Sequence, residues 1–148
     1  MTTQRDNTMV ITNKRINIYP LDFSLPFPPT VNNYYSHTRN GVFISKKGRI
    51  YRAAAAEILN EQFPRVDFVA LSQPINVTVT LFPPDQRTRD LDNYMKCLLD
   101  AITHAELWID DSIIDQLLIF RGETSPKNGF CNVSINPALP LVPIKPTE

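Results

Sequence analysis

The sequence predicts one small α/β (α+β) domain, in which a mixed β-sheet packs against two main helices. Residues 75–81 alternate apolar and polar side chains, as a strand with one buried face does. Two stretches, 45–63 and 90–105, combine helical periodicity with helix-starting residues. A second apolar, β-branched stretch follows the second helix, so strand, helix and strand form a β-α-β unit.

Bulk composition is that of an ordinary globular protein. The 148 residues suit a single domain, and 43% hydrophobic with 20% charged residues is typical of one. No run of about 18 apolar residues could span a membrane, and residues 1–13 lack the apolar core of a secretory signal. Cys97 and Cys131 form no Cys-x-x-Cys pair, so we expect reduced core thiols in a cytoplasmic protein. His37 and His104 have no zinc-site spacing.

The formal net charge is zero, which argues against a generic nucleic-acid binder. The charge is nevertheless unevenly distributed. Residues 1–60 hold eight Lys or Arg and three Asp or Glu, a net of +5, whereas residues 61–148 hold seven and twelve, a net of −5. Such an asymmetry divides the chain into a basic half and an acidic half. Acids that bind divalent cations would make the working protein more positive than its formula.

The first part of the chain predicts an extension, a strand and a loop. Residues 1–14 are expected to be a flexible N-terminal extension, and the domain itself to cover 15–136. Residues 15–23 fit a first strand, at an edge or a bulge because of Pro20. Residues 25–37 hold three prolines and predict an ordered extended loop. Its Asn32, Asn33, tyrosines and His37 are of the types that bind phosphates and stack on bases, although tyrosines in such a loop more often pack on a core.

The next stretch predicts a basic helix. Ser45 is a plausible N-cap, and the face formed by Ile50, Ala54 and Ile58 is expected to be buried. Five basic residues and no acid lie between His37 and Glu57. One interpretation is a solvated charged face. The other is a patch that contacts the phosphate backbone of a nucleic acid. The five residues are Arg39, Lys46, Lys47, Arg49 and Arg52.

The second half predicts strand, helix, strand and hairpin. Strand 75–81 turns Ile75, Val77, Val79 and Leu81 inward. The helix 90–105 carries an apolar stripe and can be capped by Asp90. Residues 113–120 fit a buried central strand, and 131–135 fit its hairpin partner across a turn at 122–129. Residues 137–148 have a proline at every third position, which is typical of an extended, disordered tail and less often of a docked peptide.

Four carboxylates crowd two short stretches, 87–96 and 108–111. Like charges about 4 Å apart repel by about 1 kcal/mol even in water, so such a group favours a bound cation, a proton or full solvation. Carboxylate oxygens suit Mg²⁺, and Mg²⁺ can activate water for phosphodiester hydrolysis. Lys96 could then neutralise a transition-state phosphate, while Arg87 and Arg89 steer the backbone. Asp-x-Asp alone is unspecific, since phosphatases and glycosyltransferases also use it. The four acids are Asp90, Asp92, Asp110 and Asp111.

The spacing of these acids raises a geometric question. In an ideal crossover the start and end of the helix lie about 22 Å apart at about 1.5 Å per residue. Asp90 and Asp92 would then be far from Asp111. Either the helix starts later or bends, or the strands are arranged differently, or a partner chain supplies one set. Asp92, Lys96 and Asp100 share one helix face, which ordinary surface ion pairs would also explain.

The combination of motifs closely resembles the RusA family of Holliday-junction resolvases, common in phages and prophages. The resemblance runs from Leu25 to Ile135. It is carried by Pro28-Pro29-Thr30-Val31-Asn32-Asn33-Tyr34-Tyr35 with the basic helix, by Arg89-Asp90-Leu91-Asp92-Asn93 with Lys96, and by Trp108-Ile109-Asp110-Asp111 with Asp115.

The resemblance implies a RusA-like fold and a homodimer that cuts four-way DNA junctions symmetrically with Mg²⁺ or Mn²⁺. Branched DNA would be its partner, no membrane would be involved, and it would act in recombination and repair in the cytoplasm of a bacterial or phage-infected cell. By position, Asp90, Asp92 and Asp111 would bind the metal and act in catalysis with Lys96. The residues expected to contact DNA are Arg87, Arg89, Asn32, Asn33, Lys46, Lys47, Arg49 and Arg52.

Two other functions remain open. The first is a non-catalytic module of the same fold that binds branched DNA. The second is a small-molecule phosphohydrolase that uses the Asp-x-Asp pair, which the basic helix and the lack of a glycine-rich phosphate loop disfavour. The zero net charge, the polar extension and the proline-rich tail depart from the family's pattern, and they bear on binding strength and substrate range more than on chemistry.

Overall fold

The computed structural model describes residues 10–12 and 15–147. In chain order its elements are β1 (Val10–Thr12), β2 (Arg15–Asn17), β3 (Leu21–Pro26), α1 (Val31–Tyr34), β4 (Tyr35–Thr38), β5 (Gly41–Ile44), α2 (Lys46–Gln62), β6 (Ile75–Phe82), a 3₁₀ turn (Leu91–Tyr94), α3 (Met95–His104), a second 3₁₀ turn (Asp111–Ile113), β7 (Ile114–Arg121) and β8 (Phe130–Pro137).

The central layer is a four-stranded sheet in the order β3-β8-β6-β7. β6 and β7 are parallel, whereas β8 runs antiparallel to both of its neighbours. The predicted mixed sheet and β-α-β unit are therefore confirmed, and the two strands of the unit, whose relative direction the sequence left open, are parallel. Two-stranded antiparallel pairs, β1 with β2 and β4 with β5, complete the strands that the structure describes.

The two main helices cover one face of the sheet and close the core. Inward side chains of β6 lie against α2 and α3, and Ile75, Val77, Val79 and Leu81 are all buried as predicted. α3 adds Met95, Leu98 and Ile102 to the same core, and Trp108 lies beneath the helix end with its indole N–H donating to Thr103 Oγ1 over 2.6 Å. A satisfied indole is what permits so large a side chain to be fully buried.

α2 begins at the predicted residue but buries a different face. The Ser45 hydroxyl caps it by accepting a hydrogen bond from the Gly48 amide at 3.0 Å. The predicted face centred on Ile50 is wrong: Ile50 is 60% exposed, and the buried residues are Gly48, Tyr51, Ala55 and Leu59. Tyr51 reaches the core because its hydroxyl donates to the Pro26 carbonyl at 2.8 Å, so its polar end is satisfied.

The N-terminal strand and the proline loop also differ from prediction. Strand 15–23 is broken at Pro20, so β2 ends at Asn17 and the edge strand β3 begins at Leu21. Proline offers no N–H to a sheet ladder, which places the break there. The loop at 25–37 is not extended throughout, since residues 31–34 form the helical turn α1 and β4 follows directly.

The order of the last two strands corrects two predictions. Residues 113–120 do not form a central strand: β7 lies at the edge of the sheet, and Leu117, Leu118 and Phe120 are exposed. Residues 131–135 do form a strand, but β8 is not its hairpin partner. β8 lies on the far side of β6 and fills the centre of the sheet. The connection over 122–129 therefore passes across the end of β6, where the Gly122 amide donates to the Leu81 carbonyl at 2.7 Å.

The ends of the chain lie beside this domain. The predicted flexible extension falls largely outside the described residues, and Val10–Thr12 within it pairs with β2. After β8 the tail makes no helix or strand over the residues described. Its Ala138 amide donates to the Pro74 carbonyl at 3.0 Å, and Leu139, Leu141, Val142 and Ile144 are exposed. Within 10–12 and 15–147, no helix has the length and apolar character needed to cross a membrane.

Candidate functional site

Asp90 and Asp92 lie at the start of the second main helix, as the sequence predicted. The 3₁₀ turn Leu91–Tyr94 precedes α3, and Asp90 occupies its N-cap position with an extended backbone. Its side chain does not cap the turn, contrary to the expectation for this residue. Both carboxylates are exposed and face solvent, two residues apart on a turn whose own core contact is Tyr94. The arrangement leaves their oxygens free for an external ligand.

Lys96 and Asp110 lie near opposite ends of α3. Lys96 is exposed on the first turn of the helix. Hydrogen bonds from Ser112 lower the pKa of the Asp110 carboxyl, and the Lys96 ammonium adds a smaller effect of the same sign. The Ser112 amide donates to Asp110 Oδ2 at 3.1 Å. No ion pair joins Lys96 to Asp110 among the described residues, so the distance between the two acidic turns stays a prediction.

Asp111 follows on a turn that packs against the same helix. It opens the 3₁₀ turn Asp111–Ile113, is half-buried, and leads directly into β7. The Leu91–Tyr94 turn packs against β7 as well, so both acidic turns border one helix and one strand. Within the described ranges, however, no three His, Cys, Asp or Glu side chains converge as a metal site. The metal trio Asp90, Asp92 and Asp111 stays a prediction.

The loop before Asp90 is organised by Asp85, which sequence reasoning missed. Its carboxylate accepts from Arg89 Nη1 at 2.7 Å and from Arg87 Nη2 at 3.1 Å. Arg89 first and Arg87 second hold the pKa of Asp85 well below its usual range. The Arg89 guanidinium also lies over the Phe27 ring, 5.7 Å from its centroid. A signal was present in the sequence, because Asp85 precedes the two arginines by two and four residues, within reach of a loop side chain.

The two arginines differ in what they can contact. The Arg87 side chain is 79% exposed, so nitrogens that Asp85 leaves unused point to solvent. The Arg89 side chain is only 11% exposed and also donates to the backbone carbonyls of Asp85 and Arg87. Arg87 is thus a surface cation that Asp85 orients, whereas Arg89 fixes the loop from inside.

Arg52 and Asp100 form an internal ion pair that the sequence did not reveal. Arg52 Nη2 donates to Asp100 Oδ2 at 2.8 Å, and Arg52 Nε donates to the Tyr34 hydroxyl at 2.8 Å. The Tyr34 hydroxyl in turn donates to Asp100. Burial raises the pKa of Tyr34, and the hydrogen bond to Asp100 raises it further, so the phenol stays protonated. Asp100 thus serves the fold, although it shares the helix face predicted for Asp92 and Lys96.

The remaining predicted DNA contacts cluster where α1 meets the start of α2. Asn32 and Asn33 are exposed on α1, and Lys46, Lys47 and Arg49 are exposed on the first turn of α2. Ser45 joins the two elements: its hydroxyl donates to the Asn33 carbonyl at 2.5 Å and its amide donates to the Tyr34 carbonyl at 2.8 Å. Unlike Arg52, these side chains form no ion pair within the described residues.

Comparisons with known proteins agree with the motifs. The family model described as "Endodeoxyribonuclease RusA" matches residues 26–131. A crossover junction endodeoxyribonuclease RusA of Escherichia coli K12 is 35% identical over 105 residues, which cover 70% of this chain and 83% of that protein. The crossover junction endodeoxyribonuclease of Enterobacteria phage 82 is 37% identical over 97 residues, covering 65% of this chain and 78% of the phage protein.

Proposed function

This chain belongs to the RusA family of endodeoxyribonucleases, and on that basis we propose that it resolves four-way (Holliday) DNA junctions in recombination and repair. The reaction is a Mg²⁺-dependent, paired and symmetric hydrolysis of phosphodiester bonds. One observation carries the proposal: the family match over residues 26–131 contains every acid of the candidate site and the lysine beside them.

The acids suit a divalent cation by their chemistry. Asp90 and Asp92 offer exposed carboxylate oxygens, which are the donors that Mg²⁺ prefers, and Mg²⁺ is commonly bound by one or two carboxylates plus substrate phosphate. Asp111 is the third proposed ligand, from the turn on the other side of α3. A divalent cation bound there would lower the pKa of a bound water and would neutralise charge on the phosphate. Mn²⁺, with the same preference for oxygen, is expected to substitute.

The chain's own residues position and neutralise the scissile phosphate. Lys96 is exposed beside the acids, and its ammonium stabilises the charge that develops on the phosphate oxygens. Asp110 remains ionised at neutral pH because hydrogen bonds from Ser112 lower its pKa, and its negative charge attracts the Lys96 ammonium weakly. Lys96 therefore acts in catalysis, and Asp110 adds a negative charge near it.

DNA backbone contacts come mainly from the basic half of the chain. Lys46, Lys47 and Arg49 present three cations on one helix turn, and Arg87 adds a fourth on the loop before Asp90. Asn32 and Asn33 contribute hydrogen-bond donors from α1. Phosphate contacts of this kind give affinity without sequence preference. Arg52 and Arg89 are engaged by Asp100 and Asp85, so they act mainly by shaping this surface.

Paired cuts require two active sites, so we infer a homodimer. The edge strand β7 supports it, since β7 pairs only with β6 among the described strands and exposes Leu118 and Phe120. Exposed apolar edges of sheets are commonly covered by a partner. Light scattering is expected to give a dimer mass for the wild type and a monomer for Phe120→Lys. Phe43→Lys is the matched control, because Phe43 and Phe120 are both 52% exposed.

The central test is Asp92→Asn on a synthetic four-way junction. We expect cleavage in Mg²⁺ to be lost while junction binding persists, because the substitution removes one carboxylate charge without changing side-chain size. Asp67→Asn, an exposed acid in the turn after α2, is the control and is expected to cut normally. Cleavage by Asp92→Asn at the wild-type rate would show that the site is assigned wrongly.

The alternative is a non-catalytic module that binds branched DNA. It is favoured by the lack of a converged three-acid site within the described residues of one chain. The same assay separates the two functions. The wild type should cut the junction in Mg²⁺ and leave it intact in EDTA, whereas a binding module would leave it intact in both.

A further inference from the structure

A cleft lies next to the turn Leu91–Tyr94, and contacts with the DNA backbone alone do not account for it. It measures about 330 Å³ and lies between the proline loop and the loop before Asp90. Its volume is near the lower end of the roughly 300–1,000 Å³ of ligand sites. Nine residues line it: Phe27, Pro28, Pro29, Thr30, Asn33, Arg87, Thr88, Arg89 and Tyr94.

The apolar walls of the cleft are rigid. Phe27 is held edge-on by the Tyr94 ring, with centroids 5.0 Å apart, and is covered on its face by the Arg89 guanidinium. Arg89 is itself fixed by Asp85. Pro28 and Pro29 have restricted backbones. A flat ligand that enters would therefore meet preformed surfaces, which lowers the ordering cost of binding.

The polar groups of the cleft are positioned but left free. The Asn33 carbonyl is held by the Ser45 hydroxyl, while its side-chain amide is exposed and makes no hydrogen bond within 15–147. Arg87, oriented by Asp85, stands at the opposite wall with most of its side chain in solvent. An amide offers one acceptor and two donors in a plane, which matches the edge of a nucleobase.

We propose that this cleft, built around Asn33 and walled by Arg87, receives one nucleobase of the DNA substrate beside the scissile phosphate. The proposal rests on the proposed junction-cutting function and adds a base-reading subsite to it. Placement supports it, because Arg89 lines the cleft and the next residue is Asp90. Asn33 bonds the edge of the base, the proline and aromatic walls cover its faces, and Arg87 holds a flanking phosphate.

The test uses junctions that carry 2-aminopurine at one of the positions next to the cut. The Asp92→Asn background prevents cleavage during the measurement. A base that leaves the stack for the cleft raises 2-aminopurine emission several-fold, and we expect this at one position. Adding Asn33→Ala should abolish the rise. Adding Asn32→Ala, the adjacent exposed residue that does not line the cleft, should weaken binding at most and keep the rise in bound junction.

Cleavage by the otherwise wild-type enzyme gives a second readout. Four junctions that differ only at the identified position should be cut at rates spanning at least about five-fold, as expected for a base-edge contact. Asn33→Ala should bring the four rates together, because it removes both the donors and the acceptor of the amide. Asn32→Ala should slow all four equally.

The outcomes separate the two proposals. No emission change at any position in a bound junction, or a rise that persists in Asn33→Ala, overturns the cleft while leaving the nuclease function intact. Failure of the wild type to bind and cut any junction overturns the function, and the subsite with it. Circular dichroism and urea unfolding check that each variant is folded. We expect the Asn33 variants to fold, because Ser45 bonds the backbone carbonyl of Asn33 and not its side chain.

Discussion

The internal pair formed by Arg52 and Asp100 should stabilise the fold far more than a surface pair does. Asp100 Oδ2 accepts from the Tyr34 hydroxyl and from Arg52 at 2.8 and 3.2 Å. Both charged side chains are 26% exposed, and Tyr34 is fully buried. Hydrogen bonds to charged groups contribute about 1.5–3 kcal/mol, and fully exposed pairs about 0.2–1 kcal/mol. We therefore expect Asp100→Asn to lower the free energy of unfolding by about 2 kcal/mol.

The measurement is urea unfolding at pH 7, followed by circular dichroism. A loss of about 2 kcal/mol corresponds to a Tm about 4–8 °C lower for a protein of this size. Glu106→Gln makes the same carboxylate-to-amide change in the surface pair with Arg65, where the side chains are 66% and 56% exposed, and should cost about 0.5 kcal/mol or less. The double variant Arg52→Gln/Asp100→Asn should lose about 1–2 kcal/mol less than the two single losses together.

Two results would refute this reasoning. If Asp100→Asn costs no more than Glu106→Gln, the pair acts like any surface contact. If the losses from Arg52→Gln and Asp100→Asn simply add, then the two side chains do not stabilise one another.

Two further predictions concern packing and thiol chemistry. Gly48→Ala should destabilise the protein, because an added Cβ would lie 2.5 Å from the Tyr34 carbonyl oxygen, and urea unfolding against the exposed-helix control Glu57→Ala measures it; equal stability of the two variants would contradict it. Burial raises the pKa values of Cys97 and Cys131 to about 12, so both thiols should resist Ellman's reagent at pH 8 until denaturant is added. These folded-state pKa values exceed the unfolded value of about 8.5. The two thiols therefore contribute to the free energy of unfolding below pH 8.5, and this contribution is lost as the pH rises toward 12. Prompt reaction of a native thiol at pH 8 would contradict the assignment.

The sequence predicted those helices and strands that depend on residues close together in the chain. The alternation over 75–81 and the cap at Ser45 follow from residues close in sequence, and both are found as predicted. The order of the strands could not be predicted in this way. Residues 131–135 follow 113–120 across a short turn, which favours a hairpin, yet β8 pairs with β3 and β6 through contacts from distant parts of the chain.

The types of residue in the candidate site could be predicted from the sequence, whereas many of their contacts could not. The acids and Lys96 stand out because their spacing is unusual. The partner of Arg52 could not be predicted, because that partner, Asp100, lies 48 residues away. The face of α2 was misjudged by one residue for a related reason: Ile50 is the more apolar side chain, but Tyr51 finds an acceptor at Pro26 that only the folded chain provides.

The position of β8 between β3 and β6 determines when, during synthesis, this nuclease can fold. A hydrogen bond at 2.6 Å joins Ser24 to Asn132, 108 residues further along the chain. A nascent chain that ends before residue 130 carries the acids, Lys96 and the basic helix, but it lacks the strand that unites its halves. Contacts of such long range form late and slowly. The candidate site residues are thus translated well before the chain can fold around them, and the sheet is complete only once β8 has been made.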